Sequence, residues 1–465
     1  MNGVAMAATA ALRRAVARPS AYSGVIVAAA AWIVTRIPMY QIDTGGLHDR
    51  WRLLYLGDIW TYRAWLRFFA AGGFPSADPR WQYPPGAAAV LTLPHLLPDG
   101  YTLSFLRVAL LCDLAVTVVL ARMAIKRGSW LGCWCWVAGI PLLGPVALGR
   151  FDVAATLFAV LALYVADSPW GLGAFGGLGA VVKVWPMVVL VGVRPRQATR
   201  AVTAAIATAG VVVGGYLAFT RGSLSFLANQ GSRGLEIESV GAQPFLVLRK
   251  LGMWHGHIKW QYGSFQIVGP GVGIAADVML GSTLLALIAL GWWRWRMSWR
   301  PEVVGDAALV ATLLVVTTSR VLSVQYMIWL IGIAACALAF PRTSQRPVAL
   351  LLMIAVGLTQ AEYPFLFNDA NLLSFGTEAI VVVAVRDAVL LTATCLAFVR
   401  LWRSTGRSHS IIPDRSNGAA STENHVAGRR FASRATLPRI TGRLTARPLV
   451  ERAGRGAETD TVGDP

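Results

Sequence analysis

The 465-residue chain is 55% hydrophobic with a mean hydropathy of +0.55, and only 14% of its residues are charged. So few charges exclude a soluble protein of this size and point to several membrane-spanning helices. The net charge of +19 does not signal nucleic acid. The arginines cluster at the ends of apolar runs and in the C-terminal tail, where the positive-inside rule and contact with anionic lipid account for them.

Residues 1–21 are Ala-rich, carry Arg13, Arg14 and Arg18, and contain no recognisable cleavage signal; they read as a cytoplasmic N-terminal segment. Candidate spans follow at about 22–39, 102–123, 130–148, 153–168, 171–193, 200–219, 273–293, 303–318, 321–340, 347–361 and 376–400. Lys126-Arg127, Arg194/Arg196/Arg200, Arg294/Arg296/Arg300 and Arg342/Arg346 mark cytoplasmic ends. For all of these to lie on one side, the apolar piece 86–98 must stay at the outer interface. Residues 171–193 must also split into two half-segments. Lys183-Val184-Trp185-Pro186 supplies the break, because Pro186 removes a backbone donor and Lys183 is costly in hydrocarbon. A rival arrangement lets 86–98 cross and keeps 171–193 whole, which reverses the sides of Lys126-Arg127 and Asp152. The glycines of 171–180 permit close helix approach. The expected fold is an all-α polytopic membrane protein, a helical bundle of about 12 membrane segments over 22–400. Two long extracytoplasmic loops, 40–101 and 221–272, and a disordered basic cytoplasmic tail over 401–465 complete it. All five cysteines fall in apolar stretches and read as small core residues.

Polar groups gather on the outer side of this arrangement. Asp58 follows the first span; it is either a general base for an acceptor hydroxyl or the cap of a helix beginning near Ile59. Tyr83-Pro84-Pro85 turns the chain back toward lipid. Arg150 and Asp152 share a corner and either grip a phosphate or pair with each other across two helix ends. Lys183 either meets a lipid phosphate, snorkels, or pairs with an acid such as Asp152. In the second loop, Arg233, Glu236 and Glu238 combine a cation with two acids, as a sugar or phosphate site or a solvated turn. Arg320, Ser323, Gln325 and Tyr326 make a polar start to an apolar span. There is no Asp-x-Asp after Asp58, and His255-x-His257 lacks a third ligand, so neither a metal nor another cofactor is expected.

The ordered set Gly57-Asp58, Tyr83-Pro84-Pro85, Gly149-Arg150-x-Asp152, Lys183-x-x-Pro186, Arg233 to Ser239 and Ser323-x-Gln325-Tyr326 resembles the GT-C glycosyltransferases that use polyprenyl-phosphate sugars. It is most similar to family 87, the bacterial α-1,2-mannosyltransferase group once called DUF2029, over roughly residues 25–400. That resemblance implies a GT-C-like catalytic domain in the plasma membrane with an extracytoplasmic site, Asp58 as base and Lys183 on the carrier phosphate. Arg150, Asp152, Tyr83, Arg233, Glu238, Gln325 and Tyr326 would line the site. It implies an inverting transfer of mannose from polyprenyl phosphate to an envelope glycolipid or glycan, with membrane lipids as the other partners. In the phosphatidylinositol-mannoside branch a Ser-Trp followed by a His pair is expected where this chain has Ser323-Val324-Gln325-Tyr326, so no histidine role carries over. The Ala/Arg/Trp-rich composition resembles that of actinobacterial proteins. The competing class is a lipid-linked-sugar flippase or secondary transporter. It predicts repeated halves and midplane carboxylates, and this sequence displays no such repeat.

Overall fold

A computed structural model describes residues 2–45, 49–231 and 233–406. Most of the tail expected over 401–465, and Ser232 of the second-loop motif, therefore lie outside the described residues. In chain order the helices are α1 (Asn2–Thr44), α2 (Asp49–Ala70), α3 (Gly86–Thr92), α4 (Tyr101–Arg127), α5 (Leu131–Leu143), α6 (Asp152–Tyr164) and α7 (Pro169–Val182). They continue with α8 (Ala198–Phe219), α9 (Phe226–Gly231), α10 (Gln243–Lys250), α11 (Val272–Arg296), α12 (Val303–Thr318), α13 (Tyr326–Leu338), α14 (Arg346–Gln360) and α15 (Thr377–Thr405).

Six stretches are long and apolar enough to cross a bilayer: Tyr22–Thr44, Tyr101–Arg127, Pro195–Phe219, Val272–Arg296, Arg346–Leu366 and Thr377–Thr405. The remaining apolar helices, α5, α6, α7, α12 and α13 among them, fall in the 10–17 residue class, below the ~20 residues a span requires. The piece Gly86–Leu96 belongs to the same short class. Helix α7 stops at Val182, Lys183 adopts extended geometry (φ −153°, ψ 132°), and a 3-10 segment runs from Trp185 to Gly192.

The short helices form the centre. Every residue of α13 from Met327 to Leu338 is buried, as befits a helix that is apolar all round. It packs against α5, α6, α12 and α14. Small residues permit this: a Cβ on Gly132 would stand 2.1 Å from the Ala335 carbonyl oxygen. Helices α7 and α8 meet in the same way, with a Cβ on Gly173 falling 2.0 Å from the Ala201 oxygen and one on Gly177 falling 2.5 Å from that of Ala205. The four-residue glycine spacing is the close-packing signature of membrane helices.

One charged pair is sealed among the spans. Arg36 on α1 reaches Asp113 on α4 through Nε at 2.9 Å and Nη2 at 3.1 Å, and Trp32 Nε1 donates to the same carboxylate at 2.5 Å. Arg36 Nη1 also donates to the Val137 carbonyl on α5 at 2.7 Å, so three helices are tied at one point. Each charge alone would be expensive there; paired and hydrogen-bonded, they fix the packing of α1 on α4 and α5.

The expectation of an all-helical chain needs correcting. Between α8 and α11 lie three short strands, β1 (Leu235–Glu236), β2 (His257–Gln261) and β3 (Ser264–Val268), in an antiparallel sheet of order β1-β3-β2. A two-residue turn, Tyr262-Gly263, joins β2 to β3 with both residues at positive φ (55° and 79°), the geometry that matches strand twist in a tight hairpin. Leu235, Ile237, Leu246, Trp254 and Ile267 build a second core here, closed by Met279 of α11 and Ile380 and Val383 of α15.

The α7–α8 contact yields a direct test. Gly173→Ala should lower the thermal midpoint of the detergent-solubilised protein, by overpacking worth about 1–3 kcal/mol. Gly210→Ala, with open space around its Cβ, should leave it unchanged or raise it, since Ala is the better helix former. Equal midpoints for the two variants would refute the close contact.

Candidate active site

Helix α2 carries one wall of the site. Asp58 stands in its middle, not at an N-cap, because the helix already begins at Asp49. Its Oδ2 lies 3.0 Å from Arg150 Nε, an ion pair lacking the alignment of a full hydrogen bond. The Tyr62 hydroxyl donates to the same oxygen at 3.4 Å, one helical turn on. Oδ1 has no hydrogen-bond partner among the described residues. The Arg150 side chain is 6% exposed, whereas that of Asp58 is 38% exposed. Arg150 is itself fixed by donating to the carbonyls of Tyr55, Gly149 and Leu54. The arrangement thus holds a half-exposed carboxylate by one oxygen on a buried, immobile guanidinium.

Arg150 and Asp152 are therefore not paired with each other. Asp152 begins α6 and accepts from Lys183 Nζ and from Trp329 Nε1, each at 2.6 Å. The Lys183 ammonium also sits over the rings of Tyr83 (5.3 Å), Phe151 (4.9 Å) and Trp329 (5.1 Å). Aromatic faces and one carboxylate compensate a lysine that is only 12% exposed. The break in helical geometry at this residue delivers its side chain to the end of the bundle.

Two cavities, of about 430 Å³ and about 600 Å³, adjoin there. Asp58, Arg80, Trp260, Ser264, Ser323 and Gln325 line both, so they act as two lobes with Asp58 at the waist. The first lobe adds Tyr83, Lys183, Arg233 and Tyr326, with an apolar side made by Val184, Met187, Val188 and Val315. Tyr326 stacks on Trp329 (3.8 Å between centroids) and Trp329 on Trp185 (5.0 Å), giving a three-ring wall. Arg233 is oriented by Gln82 Oε1 at 2.6 Å and Ser264 Oγ at 3.1 Å. The second lobe adds Arg150, Glu236 and Glu238, with Leu53, Leu54, Trp60, Phe265 and Phe367 as its apolar surface.

Glu236 accepts from Ser323 Oγ at 3.0 Å. Glu238 belongs to a buried network in which Arg386 reaches Glu238 (3.5 Å), Glu362 (3.4 Å) and Asp387 (2.9 Å). Burial pushes the Glu236 carboxyl above the usual carboxylate range, against the pull of Arg233. Burial first, then the neighbouring Glu362 and Glu236, push Glu238 well above it despite Arg386.

Of the residues singled out in the sequence, Asp58, Tyr83, Lys183, Arg233, Gln325 and Tyr326 thus meet at the first lobe, and Arg150 and Glu238 at the second. Asp152 lines neither and supports Lys183 from beneath. Arg80, Gln82, Ser264, Trp260 and Trp329 were not foreseen. The Tyr262-Gly263 turn between alternating apolar residues was the signal that could have found the hairpin. His257 lies exposed on β2, and no group of three or more His, Cys, Asp or Glu side chains among the described residues is placed to hold a metal ion.

A multi-pass helical protein with a two-lobed polar chamber at the end of its bundle has the build of a membrane glycosyltransferase. The chain belongs to glycosyltransferase family 87, whose sequence model matches residues 81–323. It is a hexosyltransferase, and the flippase or transporter alternative is not favoured. It is similar to a polyprenol-phosphate-mannose-dependent alpha-(1-2)-phosphatidylinositol pentamannoside mannosyltransferase of Mycolicibacterium smegmatis. The two are 27% identical over 304 residues, covering 62% of this chain and 68% of the relative.

The Lys183–Asp152 pair can be separated from the chemistry. Asp152→Leu should destabilise the protein by about 3–5 kcal/mol by stranding a buried ammonium. Adding Lys183→Met should recover most of that loss, which thermal unfolding in detergent would record. Full additivity of the two substitutions would deny the pairing.

Proposed function

We propose that this enzyme transfers mannose from a polyprenyl-phosphate donor to a glycolipid or glycan of the cell envelope, with its chamber on the extracytoplasmic side of the plasma membrane. The observation carrying this reading is the half-exposed Asp58 carboxylate held on Arg150 at the waist of two lobes, one of them basic and aromatic. Asp58 is the general base. As the acceptor oxygen bonds to the sugar C1, the acceptor proton passes to the carboxylate. The bond between C1 and the phosphate oxygen breaks, and polyprenyl phosphate leaves with the electron pair. Attack opposite the leaving group inverts the configuration at C1.

The leaving phosphate gains charge, so it needs cations more than an acid. Lys183 and Arg233, with Arg80 at the waist, line the lobe assigned to it. The apolar side formed by Val184, Met187, Val188 and Val315 suits the first isoprene units. Tyr83 and Tyr326 border the sugar, and Gln325, shared by both lobes, lies near the bond being made. Arg150 positions Asp58, and Asp152 positions Lys183. Glu238, committed to Arg386, borders the acceptor lobe. The similarity to a polyprenol-phosphate-mannose-dependent mannosyltransferase supports both the sugar and the carrier.

Asp58→Asn keeps the shape and an acceptor for Arg150 but removes the basic oxygen. In membranes containing this variant, transfer of labelled mannose from polyprenyl-phosphate mannose should fall by ~10²-fold or more, with an unchanged donor KM. Wild-type rates would eliminate Asp58 as base. Lys183→Ala should raise the donor KM by roughly tenfold, the loss expected of one charge-assisted contact; an unaltered donor dependence would remove its role at the phosphate.

A further inference from the structure

The β2–β3 hairpin presents an indole that its own fold does not use. In this register Ile258 faces Ile267 and Trp260 faces Phe265, so the two pairs share one side of the ribbon. On that side Ile267 is buried in the second core, and Ile258 and Phe265 pack against it. Trp260, two residues further along the same side, is 57% exposed. The core ends beneath it and the chamber begins: Trp260 lines both lobes.

The indole is nonetheless held firmly. It meets Phe265 edge-to-face at 4.8 Å, and Phe265 in turn meets Phe367 at 5.6 Å. The turn beyond it is pinned where Gln82 Nε2 donates to the Tyr262 carbonyl at 3.2 Å. On the opposite strand Arg233 donates to Ser264 at 3.1 Å. A rigid, exposed aromatic face beside a candidate base suits the flat C–H face of a pyranose ring, which packs on indole while its hydroxyls point outward.

We infer that Trp260 is the platform for the acceptor's terminal hexose. This rests on the transfer reading in assigning the lobes. With the lipid phosphate among Lys183 and Arg233, an in-line displacement brings the acceptor from the opposite direction, across the waist shared by Asp58 and Trp260. Ser264, Ser323 and Gln325 border the same waist and offer hydrogen bonds to the sugar's edge. Trp260 contacts the acceptor ring, and Asp58 takes the proton from one of its hydroxyls.

Equilibrium binding tests the platform independently of turnover. The full chain in detergent would be titrated with octyl α-mannoside as the acceptor probe and separately with decaprenyl phosphate as the carrier probe. Trp260→Ala should weaken the mannoside about tenfold and Trp260→Phe should restore most of the affinity. Trp260→Leu, apolar but without a ring face, should not restore it. Affinity for decaprenyl phosphate should be the same in all four proteins. The platform is refuted if the wild type does not bind the mannoside, if Trp260→Ala binds it normally, if Leu substitutes as well as Phe, or if the carrier probe weakens in parallel. Failure of mannose transfer itself would appear in the Asp58 assay and leave these affinities as they are.

Discussion

Charges taken out of water must be paired, and in this protein the pairing is crosswise. Arg150 and Asp152 are two residues apart, yet one reaches back to Asp58 on α2 and the other forward to Lys183 beyond α7. A single corner of the chain therefore fixes two groups that enter from distant parts of the sequence. Each pair protects the other's geometry. Arg150 is too buried to leave Asp58 without cost, and Asp152 is too buried to lose its ammonium. The candidate base and a candidate phosphate ligand are thereby held by the same rigid junction between α5 and α6. That junction in turn rests on α13, the most thoroughly buried helix of the bundle.

The second anchor is Arg386. Its contacts with Glu238, Glu362 and Asp387 tie the strand-bearing segment to the helices that follow it. The segment between α8 and α11 is thus docked, carrying its own small core and one rim of the chamber. That docking acts together with the Gln82 contacts to Arg233 and to the Tyr262 carbonyl in placing the hairpin beside the chamber. The first lobe owes its shape as much to this cover as to the transmembrane helices.

Much of the site was legible in the sequence because polar residues in apolar surroundings announce themselves. Lys183 beside Pro186 marked a break, and the chain does leave helical geometry there. Tyr83, Gln325 and Tyr326 stood at edges of apolar runs, Arg233 stood in the second long loop, and all four converge on one lobe. The partners were harder to read. Residues 150 and 152 looked like a local pair, and only the packing of α2 and α7 decides that they are not. Asp58 after Gly57 resembled the start of a helix, whereas the helical turn continues through both. The hairpin was missed because strands of five residues leave a weak periodic signal within a long polar segment. Arg36 and Asp113 were each present in an apolar run, but their pairing across α1 and α4 depends on tertiary contact.

The brevity of the inner helices has a consequence for how the proposed lipid-borne sugar would arrive. Helices α6 and α13 have 13 residues each, and at ~1.5 Å per residue they reach about 20 Å of a hydrocarbon layer that is ~30 Å thick. In the proposed transfer that difference would leave a protein-walled recess below the headgroups, with the chamber at the Tyr326 end of α13. The isoprenoid carrier of the proposed donor would then slide in sideways with its tail still solvated by acyl chains. No methylene has to be lifted into water, a step that would cost ~0.8 kcal/mol for each one exposed.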